Sequence, residues 1–326
     1  MTPNAKRLRW TVAALLALVF VFLAGIAAAA LWLRHQDILR GGGGRAASLA
    51  GALSEDLAIR VDAIEATLTH LADHNRRIGG PNAPWDQWLP ILGAALAGLG
   101  TVDSISVTDA KGVITYSTRT EIMGQSHAKK PIYETLSANP MSDALVADIP
   151  YRSPFDTSML VPVGRVLRTP NGDFEGMLIA TLAPARFAGI YQSVDVGPDG
   201  LVWLLYPAGE VLLREPPFED PIEQPMPDIP AAGAESGIAF GPLEAGGTDY
   251  LTAYQTNQRT NLAVAVSLAA EGLLVPWRED ALIALALLAA TGFLLVTVGF
   301  AIDRVVRRAL AAAREPPCTS DSPPQP

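Results

Sequence analysis

The sequence predicts an α+β chain in which two tandem antiparallel sheets sit on a long N-terminal stalk helix, flanked by two transmembrane helices. Three observations carry this. Residues 10–33 and 281–302 hold no charge, and each run exceeds the roughly 20 residues that cross a bilayer's hydrocarbon core. Apolar residues recur at helical spacing over 46–77, and glycine turns then alternate with β-rich runs to about residue 267.

The first apolar run is longer than the 7 to 15 residues typical of a signal-peptide core, which favours a retained span. Lys6, Arg7 and Arg9 precede it, and Arg304, Arg307, Arg308 and Arg314 follow the second run against Asp303 and Glu315, with Asp321 farther along. The positive-inside rule therefore places residues 1–9 and 303–326 in the cytoplasm and everything between the spans outside, although Arg34, Arg40 and Arg45 dilute the signal. The ends carry net positive charge, so the middle is more acidic than the net charge of −9 of the whole chain, and its surface argues against a nucleic-acid partner. Cys318 is the single cysteine in 326 residues, so the outer part must rely on an apolar core instead of disulfides.

After the first span, the glycines at 41–44 are expected to break or loosen the helix, each costing about 1 kcal/mol relative to alanine. The stalk, residues 46–78, then places Leu49, Leu53, Leu57, Val61, Ile64, Leu68 and Leu71 at spacings of four and three, with Glu55, Asp56, Arg60, Asp62 and Glu65 on other faces. At about 1.5 Å per residue it is near 45 Å long, too long for one sheet. Two stacked sheets along it, or a twin stalk in a homodimer, account for that length. Glycine and proline over 79–84 end it, and a short apolar helix over 89–99 leads into the strands.

The first sheet falls within a module spanning 79–190. Ser104, Ser106 and Thr108 alternate with Ile105 and Val107, "DAKG" turns the chain, and Val113, Ile114 and Tyr116 resume the strand. A helix follows near 129–137, then strands over 144–151, 159–167 and 174–182, the last two joined by a turn at Asn171 and Gly172. Ile105, Val107, Ile114, Leu160, Val163, Met177 and Ile179 are the expected core. A second module, 191–280, repeats the hairpin as "PAGEVLLRE" and adds strands over 237–243, 249–255 and 262–267. Residues 216–230 are proline- and acid-rich and read as a loop, and the proline-rich tail after residue 310 is too short to fold.

Catalytic constellations are missing from the pattern. No Gly-Lys-Ser or Gly-Lys-Thr follows a glycine-rich loop, "GQSHA" has Ala128 where a nucleophile elbow has glycine, and His70 with His74 lacks the glutamate of a zinc helix. Neither a cofactor nor a metal is implied, and no enzyme is expected. The informative residues are Tyr116, Ser126, His127, Lys129, Lys130, Tyr133, Tyr151, Arg152, Asp156 and Thr157, which the strand order brings toward one sheet. Arginine suits a carboxylate, lysine supplies a point charge, tyrosine a wall with a donor, and Asp156 suits an amino group. A small polar or anionic metabolite is the expected ligand.

Two strands, a helical crossover and three antiparallel strands outline a PAS-like fold. "ISVTDAKGVITYST", "MGQSHAKKPIYE", "FEGMLIATL" and "LVWLLYPAGEVLLR", in that order between two spans, resemble the double Cache sensors of bacterial signalling proteins. The resemblance covers roughly 46–278 and implies a ligand pocket in the membrane-distal module, a periplasmic or extracellular sensor at the inner membrane, and a signalling partner. It departs from most members in having no output domain, and "AKKPIY" replaces the run that others carry before the tyrosine. The competing readings are the front of a sensor kinase or cyclase lacking its output domain, an enzyme of the outer membrane face, and a scaffold of a membrane complex.

Overall fold

The computed structural model describes residues 3–206, 210–217, 235–243 and 247–312. The expected "PAGE" turn, most of the 216–230 loop and the tail with Cys318 lie largely outside them. Two compact units divide the chain, Met1–Leu39 with Leu274–Pro326, and Arg40–Leu273.

The first unit holds the start of α1 (Pro3–Ile78) and α6 (Val275–Ala312), both long and apolar enough to cross a membrane. Trp277 Nε1 donates to the Leu31 carbonyl at 2.9 Å and Arg34 pairs with Asp280 at 3.2 Å, so aromatic and charged side chains join the two helices where the apolar runs end.

In the second unit α1 runs unbroken through Gly41–Gly44, contrary to the expected break. The reason is packing: Gly42 and Gly43 are buried against Leu251, Leu273 and Ile238. Farther along, Leu53, Leu57, Val61, Ile64, Leu68 and Leu71 are buried, and Leu49 is partly so, as the spacing predicted. The helix stops at Ile78 because Gly79 and Gly80 take φ of 92° and 107°. α2 (Trp85–Gly98) begins four residues earlier than expected, directly after Pro84, and buries Trp88 and Leu92.

β1 (Val102–Thr108), β2 (Ile114–Ser117), β3 (Val146–Ala147), β4 (Tyr151–Arg152), β5 (Met159–Arg168) and β6 (Phe174–Leu182) form a six-stranded antiparallel sheet ordered β2-β1-β6-β5-β3, with β4 also on β5. The strand expected over 144–151 is in fact two short pieces, because Pro150 between them has no N–H for the ladder. α3 (Pro131–Ala138) is the crossover, with proline at its first turn.

After a connector with α4 (Ala188–Gln192), the second sheet comprises β7 (Leu201–Tyr206), β8 (Glu210–Glu215), β9 (Ser236–Pro242), β10 (Asp249–Thr256) and β11 (Ala263–Ala269), and α5 (Ala270–Leu273) follows. Its order, β8-β7-β11-β10-β9, repeats the first: the hairpin's leading strand pairs with the last strand of the sheet. Thus the short glycine-turn repeat in the sequence marks a repeat of topology.

Cross-strand partners share a face, so register sorts the side chains of the first sheet. Ile105 opposite Ala180 and Val107 opposite Leu178 join Leu57, Val61, Ile64 and Leu68 of α1 in one core. On the other face Val166, Met177 and Ile179 pack with Ile132 and Leu136 of α3. α3 sits close there, since a Cβ at Gly164 would lie 2.7 Å from Ile132 Cδ1. All seven predicted core residues are buried.

Candidate functional site

The face of the first sheet that meets α3 changes character along its strands. At the α3 end it is apolar, and beyond Ile179 it is polar. Ser104 lies opposite Thr181, and Ser106 opposite both Ile179 and Ser117. All three serines and Thr181 are buried, and the Ser106 and Ser117 hydroxyls bond each other at 3.0 Å. Buried hydroxyls on a sheet face otherwise filled with aliphatic side chains carry a desolvation cost that packing alone does not explain.

Charged groups border this floor. Arg119, just after β2, pairs with Asp103 at 2.9 Å with side chains 26% and 14% exposed, and its guanidinium stacks on Phe155 at 4.9 Å. Arg186 also approaches Asp103, at 3.9 Å. Tyr151, 37% exposed, projects from β4 on the same face. Burial raises its phenol, and the Thr181 hydroxyl draws it part of the way back, with Asp103 and Arg119 acting at longer range. Lys130 Nζ lies 5.6 Å from the centre of the Tyr151 ring. His127 completes the arc beside Asp148, which is 6% exposed and accepts the Ile149 N–H at 2.8 Å.

The loop over 153–158 is folded on itself at the rim. Ser153 N–H donates to the Ser158 carbonyl at 2.8 Å, Thr157 N–H donates to the Ser153 carbonyl at 3.0 Å, and Thr157 takes φ of 59°. Phe155, half-exposed, reaches back from this loop over Arg119.

Of the ten residues singled out from the sequence, His127, Lys130 and Tyr151 converge here. The others do not. Tyr116 is on the α1 face with Val107, stacked near Trp85 and Trp88, and its hydroxyl donates to the Ala83 carbonyl. Tyr133 closes the β1–β2 turn by donating to the Ala110 carbonyl at 2.9 Å and meets Phe174 edge-on. Ser126 accepts the Ala128 N–H at 3.3 Å at the surface, and Lys129 is exposed. Arg152 points away from Tyr151, as neighbours on a strand do, and only brushes the Thr157 carbonyl at 3.5 Å. Asp156 is fully exposed, and the Ser153 and Ser158 hydroxyls hold its carboxyl below the ordinary value. Asp103, Arg119, Asp148 and Thr181 were missed by sequence reasoning. Among the described residues no cluster of three or more metal-ligating side chains forms.

His127 gives the site a pH signature. Enclosure of the ring, and then the charge of Lys130, lower its pKa, against a smaller opposing effect of Asp148. With a folded-state value below the unfolded one, the neutral form is favoured by folding. That stabilisation is complete above about pH 6.5 and is lost as pH falls through the folded value. Melting between pH 7.5 and 5 is expected to show the parent losing more stability than His127→Asn; equal losses would remove His127 as the source.

No protein-family model matches the chain, and no curated protein does. Solved structures do. The extracellular domain of a protein assigned as a histidine kinase, rpHK1S-Z16, superposes with a TM-score of 0.63 at 20% identity, covering 73% of this chain and 99% of that one. The ligand-binding domain of the Pseudomonas fluorescens chemoreceptor CtaA, solved with L-isoleucine, gives 0.55 at 12% identity over 74% and 98%. The periplasmic sensory domain of the Campylobacter jejuni chemoreceptor Tlp1 gives 0.55 at 13% over 73% and 99%. The chain has the Cache-type fold of these domains. Within that Cache fold, the face of the first sheet turned away from α1 bears the enclosed hydroxyls and the ring of charges.

Proposed function

We propose that the chain is a membrane-anchored, extracytoplasmic small-molecule sensor that signals through a separate cytoplasmic or membrane partner. One observation carries the reading: the buried Ser104, Ser106, Ser117 and Thr181 hydroxyls form a polar floor on an otherwise aliphatic sheet face, bordered by Arg119, His127, Lys130 and Tyr151, and suit a small polar ligand. Asp103 and Asp148 stand among the cationic groups, which favours a ligand carrying an amino group as well as a carboxylate over a simple anion. The related chemoreceptor domain solved with L-isoleucine supports the same class.

A thermal-shift screen of residues 40–273 against amino acids, organic acids and amines tests this. A ligand at a hundred times its dissociation constant stabilises by about 2.7 kcal/mol, several degrees for a unit of this size. A screen without any shift counts against the reading.

Both ends are taken as cytoplasmic, from the flanking arginines and lysines. Reporter fusions after Trp277 and Leu310 are expected to report outside and inside respectively, and an inside signal at Trp277 overturns the topology. The reading also includes a homodimer through the stalk, because Ala52, Ile59, Ala63 and Ala66 form an exposed stripe along α1 opposite its buried face. In a Cys318→Ser background, Ala63→Cys is expected to give an oxidised dimer in membranes. Persistence of the monomer under oxidant argues against that interface.

A further inference from the structure

Residues 41–44 are four consecutive glycines inside α1. A helix interior tolerates such a run poorly, because each glycine gives up more backbone freedom on ordering than alanine does. Close packing accounts for the middle pair. A Cβ at Gly42 would lie 3.0 Å from Leu273 Cδ1 and 3.1 Å from Leu251 Cδ2, and one at Gly43 would lie 3.5 Å from Ile238 Cδ1. Close packing does not account for the outer pair, since nothing lies within 4 Å of a Cβ added at Gly41 or Gly44. Alanine fits both positions and strengthens the helix, yet both are glycine.

A second weakness is built in one turn later. The Ser48 hydroxyl donates to the Gly44 carbonyl at 2.9 Å, drawing on the acceptor that the helix ladder also uses. On the far side of the run the helix is held firmly. Arg45 bonds the Asp195 carboxylate at 3.0 Å and its carbonyl at 2.9 Å, and Ala46, Ala50 and Leu53 begin the buried stripe.

We infer that Gly41–Gly44 is a hinge in α1 that stays helical only while Gly42 and Gly43 are seated on Leu251, Leu273 and Ile238. The outer glycines keep the ordered and opened forms close in free energy, and the seat of the middle pair on the second sheet decides between them. A small shift of β10 or α5 against α1 is thereby converted into ordering or opening of the helix just before the stalk. The use of this hinge in signalling rests on the sensor reading, whereas the hinge itself does not.

Hydrogen–deuterium exchange on the full chain in lipid nanodiscs, without ligand, tests it. Amides over 42–48 are expected to exchange at least about tenfold faster than those over 54–68 of the same helix. Gly41→Ala/Gly44→Ala is expected to slow 42–48 by about tenfold or more while leaving 54–68 and β6 unchanged. Gly42→Ala, which pushes a methyl at Leu251 and Leu273, is expected to speed exchange over 42–48. Uniform exchange across 42–68 in the parent, or a double variant that exchanges like the parent, overturns the hinge. Slower exchange in Gly42→Ala overturns the role of the seat. Failure here leaves the sensor reading intact, and a ligand screen without a hit leaves the hinge intact.

Discussion

Ile179→Asp is expected to leave residues 40–273 unfolded at 25 °C. Ile179 is 2% exposed at the centre of β6, packed with Ile132, Leu136, Val166 and Met177, and its cross-strand partners are Ser106 and Gly164. Losing the buried side chain removes about 1.5–3 kcal/mol. The carboxylate then faces aliphatic side chains, and an unpaired buried charge adds several kcal/mol more. A domain has only about 5–15 kcal/mol in hand, so the sum consumes most or all of it. The Ser106 hydroxyl is no rescue, since it is already bonded to Ser117. Circular dichroism and a melting curve decide the matter, with Ile179→Val as the control expected to lower the midpoint only modestly, for about 0.5–1.5 kcal/mol. An aspartate variant that melts within a few degrees of the parent shows that this face of β6 is not core.

The sheets were legible because their signals are local. Alternation of Ile105 and Val107 with small polar residues, turns at Gly112 and Gly172, and the four-three spacing of Leu53 to Leu71 each follow from backbone geometry within a few residues. The continuity of α1 through its glycines was not legible. It depends on Leu251 and Leu273, more than two hundred residues away, coming close enough to need glycine at 42.

The candidate site was half legible for a related reason. His127, Lys130 and Tyr151 stood out by residue type, but type alone also selected Arg152 and Tyr116, which the strand alternation turns away. The missed signal was the stripe of Ser104, Ser106 and Thr108. In sequence these residues mark only the alternation of the strand with Ile105 and Val107. Ile132 and Leu136 at helical spacing already implied that α3 covers that face, and a polar stripe under a covering helix points inward. Arg119 and Asp103 carry no local pattern at all, since 16 residues separate them and only the hairpin brings them to 2.9 Å.

With any ligand that stabilises the parent, Arg119→Ala is expected to abolish most of the thermal shift. Arg119 is the best-placed fork for a ligand carboxylate: it borders the hydroxyl floor, its backbone N–H donates to Ser117 Oγ at 3.1 Å, and Asp103 and Phe155 fix its guanidinium. A shift of about 2.7 kcal/mol at a hundredfold excess corresponds to roughly 5–11 °C, and a charge-assisted contact contributes about 1.5–3 kcal/mol of that. Losing the arginine also leaves Asp103 with the more distant Arg186 at 3.9 Å, so some fall in the unliganded midpoint accompanies the variant. The readout is therefore the difference between liganded and unliganded midpoints within each variant. Arg119→Lys keeps the charge without the fork and is expected to retain a partial shift. Arg152→Ala is the discriminating control, because Arg152 points away from Tyr151 and only its weak contact with the Thr157 carbonyl is lost. A full shift in Arg119→Ala takes Arg119 out of the site, and a shift lost in Arg152→Ala alone moves the ligand to the outer side of β4.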